Sequence, residues 1–203
     1  MQNKVQEKMP KLYIIAGCNG AGKTTASFTV LPEMLNCKEF VNADEIARGL
    51  SPFNPNSVAI EAGRLMIERI GTLVKQAANF AFETTLATKS YKKLIEQMQK
   101  QNYFVSLLFF WLPSPEQAIQ RVKFRVSQGG HNIPEDVIRR RYANGLFNLF
   151  DIYMPLCDYW CMYDNSGING AKTIAYGTKD KERHIILPSL YDKIRDDYGR
   201  NRD

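Results

Sequence analysis

The sequence predicts an α/β fold in which a parallel sheet carries helices on both of its faces. Patterns typical of strands and helices alternate along the chain, as expected for strands joined by crossover helices. Residues 103–112 are almost continuously apolar, which is typical of a central strand buried on both faces. A glycine-rich turn joins the first predicted strand to the first predicted helix, and it is the strongest local signal in the chain.

This turn, residues 17–24 (GCNGAGKT), matches the pattern G-x-x-x-x-G-K-[ST] of a phosphate-binding loop. Residues 11–16 before it indicate a buried strand, and residues 25–35 after it indicate a helix. The backbone N–H groups of such a loop converge on a phosphate, and the helix N-terminus adds its positive end. The sequence therefore predicts a P-loop NTPase, a glycine turn without a ligand being the alternative. We favour ATP because the chain lacks an Asn/Thr-Lys-x-Asp motif for guanine.

Eight residues of this loop and the following helix are expected to bind the nucleotide. They are Gly17, Asn19, Gly20, Ala21, Gly22, Lys23, Thr24 and Thr25. Lys23 would reach the β- and γ-phosphates and so take part in catalysis, and the Thr24 hydroxyl would bind Mg²⁺.

The next elements place polar residues after two further strands. Residues 39–42 indicate a short strand that ends at a helical turn, and a Pro- and Asn-rich loop follows over residues 51–56. A long helix is predicted over residues 57–79, and residues 80–82 form an apolar strand leading into Glu83. The prediction of the helix rests on large apolar residues at helical spacing: Ile60, Leu65, Ile67, Ile70, Leu73 and Val74.

The second half of the chain continues the alternation of helix and strand. Ser114 is a good N-cap and Pro115 suits the first helical position, so a helix is expected to begin there and end near residue 128. The last dozen residues are charged and are expected to fray. The other predicted elements are helices over 90–101 and 134–150, a strand over 158–162, and a hairpin formed by 173–176 and 184–187.

Asp44 is the candidate general base. It follows the second strand, where we expect the phosphate loop to be its neighbour, and ligands of open α/β sheets bind at the carboxyl ends of the strands. A carboxylate there can accept the proton of a hydroxyl aimed at the γ-phosphate. The alternative is that Asp44 caps the following helix, and the two roles do not exclude each other.

Glu83 and Thr84 end the third strand at the same edge. Glu83 occupies the place of an acid that holds Mg²⁺ through water, and either residue could instead bind hydroxyl groups of the substrate. The alternative for both is a capping or turn role. Arg64, on the long helix, is a further candidate for substrate binding, although an ion pair with Glu61 or Glu68 is favoured for it.

Residues 121–145 predict a mobile lid rich in arginine. Gly129 and Gly130 supply flexibility, and arginines on either side can fold over a triphosphate. Arg121 and Arg125 are four apart and share a helix face, so both are expected at the nucleotide. Three further arginines are consecutive and cannot all point inward, which favours one or two of them, with preference for Arg140 and Arg141 over Arg139. His131 is expected to contact a phosphate or the substrate.

Composition limits the class of protein. Apolar residues make up 44% of the 203 residues, and no apolar run approaches the roughly 20 residues of a membrane span. We expect one domain over residues 1–203, with a C-terminal hairpin and tail over 170–203, in the cytoplasm. The net charge of +6 raises the possibility of nucleic-acid binding, but the arginines cluster in one stretch and no stacking motif accompanies them.

The four cysteines are expected to be buried free thiols, because their spacing is a poor zinc pattern. Cys18 lies within the phosphate loop, beside a helix N-terminus, and its pKa is therefore expected to be low enough for alkylation.

Together these motifs resemble the zeta toxin family of small P-loop kinases. The matching segments are residues 17–24, 41–44 (VNAD), 82–85 (FETT) and the arginines from 125 to 141, in family order. The chain looks most similar to the stand-alone branch described as predicted ABC-type ATPases, which carries Gly-Gly-His-x-Ile-Pro before the arginines, here residues 129–134.

The resemblance implies the fold of a nucleotide kinase and several roles. Asp44 would match the aspartate that activates the acceptor, and Arg125 with Arg140 or Arg141 would hold the γ-phosphate. In the studied toxins the acceptor is the 3′-hydroxyl of UDP-N-acetylglucosamine, and an antitoxin blocks the ATP site. Any antitoxin of this chain would be a separate protein.

The acceptor stays open, because residues 84–87 (TTLA) differ from the Gly-Thr-x-Arg pattern of those toxins. The alternatives are a kinase acting on another small acceptor, such as a nucleoside or an antibiotic, and a non-catalytic or RNA-associated ATP-binding protein.

Overall fold

A seven-stranded sheet forms the centre of the computed structural model, which describes residues 9–130, 132–167, 170–179 and 183–199. The strands in chain order are β1 (Lys11–Gly17), β2 (Glu39–Val41), β3 (Phe80–Thr84), β4 (Phe104–Trp111), β5 (Tyr159–Asp164), β6 (Lys172–Thr178) and β7 (Arg183–Ile185). In space their order is β2-β3-β1-β4-β5-β6-β7. The first five pair in parallel, and β6 and β7 extend the sheet as antiparallel strands.

Helices and helical turns connect the strands. The α-helices are α1 (Lys23–Thr29), α2 (Ala43–Leu50), α3 (Ala59–Lys75), α4 (Tyr91–Lys100), α5 (Pro115–Ser127), α6 (Glu135–Asn148), α7 (Met154–Leu156) and α8 (Pro188–Tyr198). A 3₁₀ turn covers Pro55–Val58, and π-helical turns cover Val30–Met34 and Leu149–Tyr153. No helix in the described part of the chain is long and apolar enough to cross a membrane.

Burial of β1 and β4 shows that helices cover both faces of the sheet. Successive strand residues point to opposite faces, yet Leu12 to Gly17 and Val105 to Trp111 are all buried. This pattern confirms the α/β prediction and the central position of β4. Because β1 lies between β3 and β4, the loop that follows it opens at the middle of the carboxyl edge.

Asp44 and the phosphate loop were predicted to be neighbours, but they do not follow adjacent strands. The strand before Asp44, β2, pairs with β3, and β3 separates it from β1. Glu83, in β3, therefore lies between the two loops and connects them.

The buried face of α3 includes only two of the large apolar residues that indicated the helix, Ile70 and Leu73. Its buried residues are Ala62, Met66, Ile70 and Leu73, which form one stripe at spacings of four, four and three. Ile60 and Ile67 are exposed by 83% and 71%, on the opposite side of the helix. Ala62 and Met66 complete the buried stripe, although neither is among the large apolar residues that indicated the helix.

The end of the chain is also more ordered than predicted. Residues up to Tyr198 form α8, which buries Tyr191 and Ile194 against the core. Tyr198 packs edge-on against Tyr142 and Phe147 of α6. Four apolar side chains of α8 therefore pack on the core, Leu190, Tyr191, Ile194 and Tyr198. The prediction of fraying counted the charged residues and overlooked these four.

Candidate active site

The phosphate loop connects β1 to α1 in a conformation that requires glycine. Gly20 and Gly22 have φ angles of +78° and +79°, in the left-handed region. A Cβ on Gly20 would lie 2.7 Å from the Ala118 carbonyl oxygen, and one on Gly22 would lie 2.7 Å from Asn165 Nδ2. The loop is therefore held closely between α5 and the residue that follows β5.

Glu83 organises the polar side chains around this loop. Its carboxylate accepts hydrogen bonds from Thr24 Oγ1 at 2.6 Å and from Asn42 Nδ2 at 3.0 Å. Lys23 Nζ lies 3.4 Å from the other carboxylate oxygen and donates to the Cys18 carbonyl at 3.0 Å. The nearly buried ammonium and carboxylate thus compensate each other's charge. Lys23 and Thr24, the two side chains that the loop pattern specifies, share one acidic partner.

The donor set around Thr24 fits Mg²⁺. In the described residues no group of three or more His, Cys, Asp or Glu side chains could hold a metal by itself. Mg²⁺ in kinase sites keeps several waters and binds phosphate oxygens, so it needs one or two protein oxygens. The Thr24 hydroxyl could ligate the ion directly, and the Glu83 carboxylate could hold one of its waters.

Asp44 lies at a cavity of about 320 Å³ that also reaches the phosphate loop. The N-cap of α2 is Asn42, whose Oδ1 accepts from the backbone N–H groups of Asp44 and Glu45 at 2.9 and 3.4 Å. The alternative that Asp44 is itself the cap is therefore wrong. With the cap supplied two residues earlier, the carboxylate of Asp44 is exposed at the cavity.

Tyr91 lies near enough to Asp44 for the carboxylate to affect its pKa. Burial raises the pKa of the Tyr91 hydroxyl, and the Asp44 carboxylate raises it further, while a hydrogen bond with Thr84 lowers it. The Tyr91 ring stacks on Phe82 of β3. Thr84 Oγ1 accepts from the backbone N–H of Leu86, which has a φ of +55°. Thr84 is buried and shapes the turn after β3, which is the turn role considered for it.

The lid arginines separate into those at the cavity and those away from it. Arg121 and Arg125 both line the cavity, as their shared face of α5 predicts. Arg141 does not line the cavity, but its Nη1 lies 3.4 Å from Oδ1 of Asn19 in the phosphate loop, and Asn19 does line it. Arg140 is exposed and does not line the cavity, and Arg139 pairs with Glu116. His131, a predicted contact of phosphate or substrate, lies outside the described residues.

The structure does not bring Arg64 to the site. Its side chain is exposed and does not line the cavity. Among the described residues it also makes no ion pair, and the prediction of one with Glu61 or Glu68 is wrong. Of the eight loop residues predicted to bind the nucleotide, six line the cavity together with Glu83: Asn19, Gly20, Gly22, Lys23, Thr24 and Thr25. Gly17 and Ala21 do not line it, and Ala21 is fully buried within the loop.

Several residues at the site were missed by sequence reasoning. Asn42, Arg48 and Asn56 line the cavity, and Asn165 contacts the phosphate loop. Asn42 had a local signal, because Asn two residues before an acidic pair is a typical N-cap. Asn165 had none, since its partner Ala21 is 144 residues away.

The prediction of a reactive Cys18 is wrong. All four cysteines are buried and free, as expected, and Cys18 is 5% exposed. Desolvation raises the pKa of Cys18 to about 11, and the nearby charges of Lys23 and Arg121 offset this only in part. The position of Cys18 beside a helix N-terminus suggested that the helix dipole would lower its pKa, but the effect of burial is larger and raises the pKa.

We therefore expect Cys18 to resist alkylation in the folded protein. With a pKa of about 11, fewer than about one Cys18 in a thousand is thiolate at pH 7.5. Iodoacetamide at that pH, followed by intact mass measurement, should label none of the four cysteines within an hour, and all four after unfolding in guanidinium. Fast labelling of Cys18 in the native protein would contradict this expectation.

The fold and the loop define the class of protein: a P-loop protein with the fold of small kinases. The Zeta toxin family model matches residues 1–152, and the chain belongs to this family. An uncharacterized protein of Haemophilus influenzae strain Rd is 30% identical over 143 residues, which cover 70% of this chain and 99% of that protein.

Solved structures share the fold at lower identity. The AvrRxo1-ORF1:-ORF2 complex with ATP has a TM-score of 0.73 and 18% identity, over 93% of this chain and 64% of that chain. The PezAT chromosomal toxin-antitoxin system of Streptococcus pneumoniae has a TM-score of 0.63 and 17% identity, over 95% and 81%. The chain thus spans slightly less than two thirds of the first of these proteins. Family and fold together support an ATP-dependent kinase.

Proposed function

We propose that this protein transfers the γ-phosphate of ATP to a hydroxyl group of a small molecule. The observation that carries the proposal is that one cavity contains Lys23, Thr24, two lid arginines and the exposed carboxylate of Asp44. Phosphoryl transfer needs positioning of the phosphates, cations for the developing charge and an acceptor for the hydroxyl proton. Each of these requirements has a candidate side chain in this cavity.

In the proposed reaction the acceptor oxygen bonds to the γ-phosphorus while the bond from that phosphorus to the β–γ bridging oxygen breaks. Asp44 takes the acceptor proton, and ADP leaves with the bridging oxygen. Lys23, Arg125 and Arg141 hold the charge that develops on the transferred group, and Arg121 holds the rest of the triphosphate. Thr24, with Glu83 behind it, would hold Mg²⁺, which would supply further neutralisation of the phosphate charge.

The acceptor implied by the family resemblance is the 3′-hydroxyl of UDP-N-acetylglucosamine. A second class of acceptor, one without a diphosphate, has an electrostatic argument in its favour. The cavity wall beyond Glu83 carries Asp44, Glu45 and Arg48, and Arg48 is already paired with Glu45 at 3.1 Å. Residues 84–87 add no basic side chain. A diphosphate would meet little uncompensated positive charge on this wall, so neutral and cationic hydroxyl compounds belong among the acceptors tested.

A separate antitoxin is the proposed protein partner. Phe53 and Ile60 are exposed by 103% and 83% and flank Pro55, Asn56 and Ala59 at the rim of the cavity. A partner that covered this apolar rim would also close the nucleotide site. The buried free thiols agree with a reducing compartment, and we propose the cytoplasm.

The test of the proposed function is ADP release with ATP and Mg²⁺, measured with UDP-N-acetylglucosamine, nucleosides, hexosamines and aminoglycoside antibiotics in turn. We expect one of these acceptors to stimulate ADP release and to gain 80 Da, the mass added when a phosphoryl group replaces a proton. ATP binding without turnover on any acceptor would favour the non-catalytic alternative. Absence of ATP binding would overturn the proposal.

A further inference from the structure

The loop that follows β5 bridges the phosphate loop and the lid helix α5. Asn165 is fixed to the sheet because its backbone N–H donates to the Trp111 carbonyl at 3.0 Å. Its side-chain Nδ2 donates to the Ala21 carbonyl at 2.7 Å. Ala21 is fully buried in the middle of the phosphate loop, so this amide anchors the loop from a strand remote in sequence.

The next residue holds α5 through its backbone. The Ser166 carbonyl accepts from Gln117 Nε2 at 3.1 Å and from Arg121 Nη2 at 2.9 Å. The Ser166 N–H in turn donates to Asp164 Oδ1 at 2.9 Å, which fixes the turn. Since Arg121 also lines the cavity, this carbonyl holds one edge of the guanidinium and leaves its other N–H groups for the nucleotide.

Close packing makes this arrangement sensitive to small movements. A Cβ on Gly22 would come within 2.7 Å of Asn165 Nδ2, and a Cβ on Gly20 would come within 2.7 Å of the Ala118 carbonyl of α5. The phosphate loop is therefore in close contact with Asn165 on one side and with α5 on the other. We expect a change at Asn165 to alter the position of the loop, of Arg121 or of both.

We propose that Asn165 is a positioning residue for ATP, which sets the backbone of the phosphate loop and, through Ser166, the orientation of Arg121. This inference rests on the proposed function, because it assumes that the loop binds the phosphates of ATP. Asn165 acts through the Ala21 carbonyl and the adjoining loop. Removing its Nδ2 donor would leave that buried carbonyl without a hydrogen bond.

The test compares two substitutions of similar size with the wild type. Asn165→Leu removes the donor without adding charge, and Asn165→Asp replaces the donor with a carboxylate that repels the Ala21 carbonyl. We expect the Kd for ATP, measured by calorimetry without acceptor, to rise about 10- to 100-fold in Asn165→Leu and at least as much in Asn165→Asp. The matched control is Asn102→Asp, at an exposed position in the turn before β4 and at the opposite edge of the sheet from the cavity, which should change the Kd by less than about twofold.

The outcomes separate positioning from charge and from unfolding. An effect in Asn165→Asp alone would mean that the added charge repels the nucleotide, and it would overturn the proposal. A Kd for ATP in Asn165→Leu within twofold of the wild-type value would also overturn the proposal. With an acceptor in hand, positioning predicts a raised KM for ATP with kcat within about threefold at saturation, which a general loss of stability would not produce.

A second variant keeps the inference testable if Asn165→Leu does not fold. Gln117→Ala acts on the other side of the same bridge and is expected to raise the Kd for ATP about three- to tenfold. An unchanged Kd in that variant, with Asn165→Leu unfolded, would overturn the inference. A wild-type protein that fails to bind ATP would instead overturn the proposed function.

Discussion

Replacing Asp44 by Asn is expected to lower kcat about 100- to 10,000-fold while the Kd for ATP changes by less than about threefold. The carboxylate lies at the cavity beyond Glu83, and the cap of α2 is supplied by Asn42, so the fold does not need its charge. The amide has nearly the same size but cannot accept a proton. Loss of the carboxylate should therefore slow the chemical step, which is measured as the rate of ADP release with a saturating acceptor.

The neighbouring residue provides the control for this experiment. Glu45→Gln removes a carboxylate from the same turn and the same cavity wall, but this carboxylate is already paired with Arg48. We expect kcat to stay within about threefold of wild type, because the exposed ion pair contributes little. Retention of more than about a tenth of kcat in Asp44→Asn would exclude Asp44 as the base, whatever the acceptor.

Sequence reasoning located the phosphate loop because every determinant of that loop is local. The glycines, the lysine and the threonine occur at fixed spacing, and the preceding apolar residues define the strand. Asn42 and Glu83 lie 41 residues apart in the sequence and are hydrogen-bonded directly at the sheet edge, where Thr24 donates to the same carboxylate. Both contacts require the strand order. Since β3 separates β2 from β1, Glu83 joins the phosphate loop to the Asp44 turn, which no local pattern reveals.

The choice between Arg140 and Arg141 was open for a related physical reason. Successive residues on a helix point about 100° apart, so the choice depends on which face of α6 is buried. Ile138, Tyr142 and Gly145 form that face, and a Cβ on Gly145 would lie 2.5 Å from the Thr85 carbonyl. Arg141 is next to this face and turns toward the phosphate loop, and Arg140 turns to solvent. The prediction that Cys18 is reactive was wrong for a similar reason. The burial of Cys18 depends on elements that are distant from it in the sequence.

The second large effect is expected at Arg141, with Arg140 as its matched control. An arginine that stabilises the transferred phosphoryl group contributes on the order of 1,000-fold or more to kcat. We therefore expect Arg141→Ala to lower kcat at least about 100-fold, because its guanidinium lies beside Asn19 of the phosphate loop. Arg140→Ala removes the same charge from the same helix, and we expect kcat to stay within about twofold.

Arg141→Lys refines this comparison, because lysine keeps the charge but loses the planar donor geometry. A kcat between those of wild type and Arg141→Ala would indicate that geometry contributes beyond charge. Equal losses in Arg140→Ala and Arg141→Ala would instead mean that the lid acts through its total positive charge. The contact between Arg141 and Asn19 would then have no particular role, and the proposed division between the two faces of α6 would be wrong.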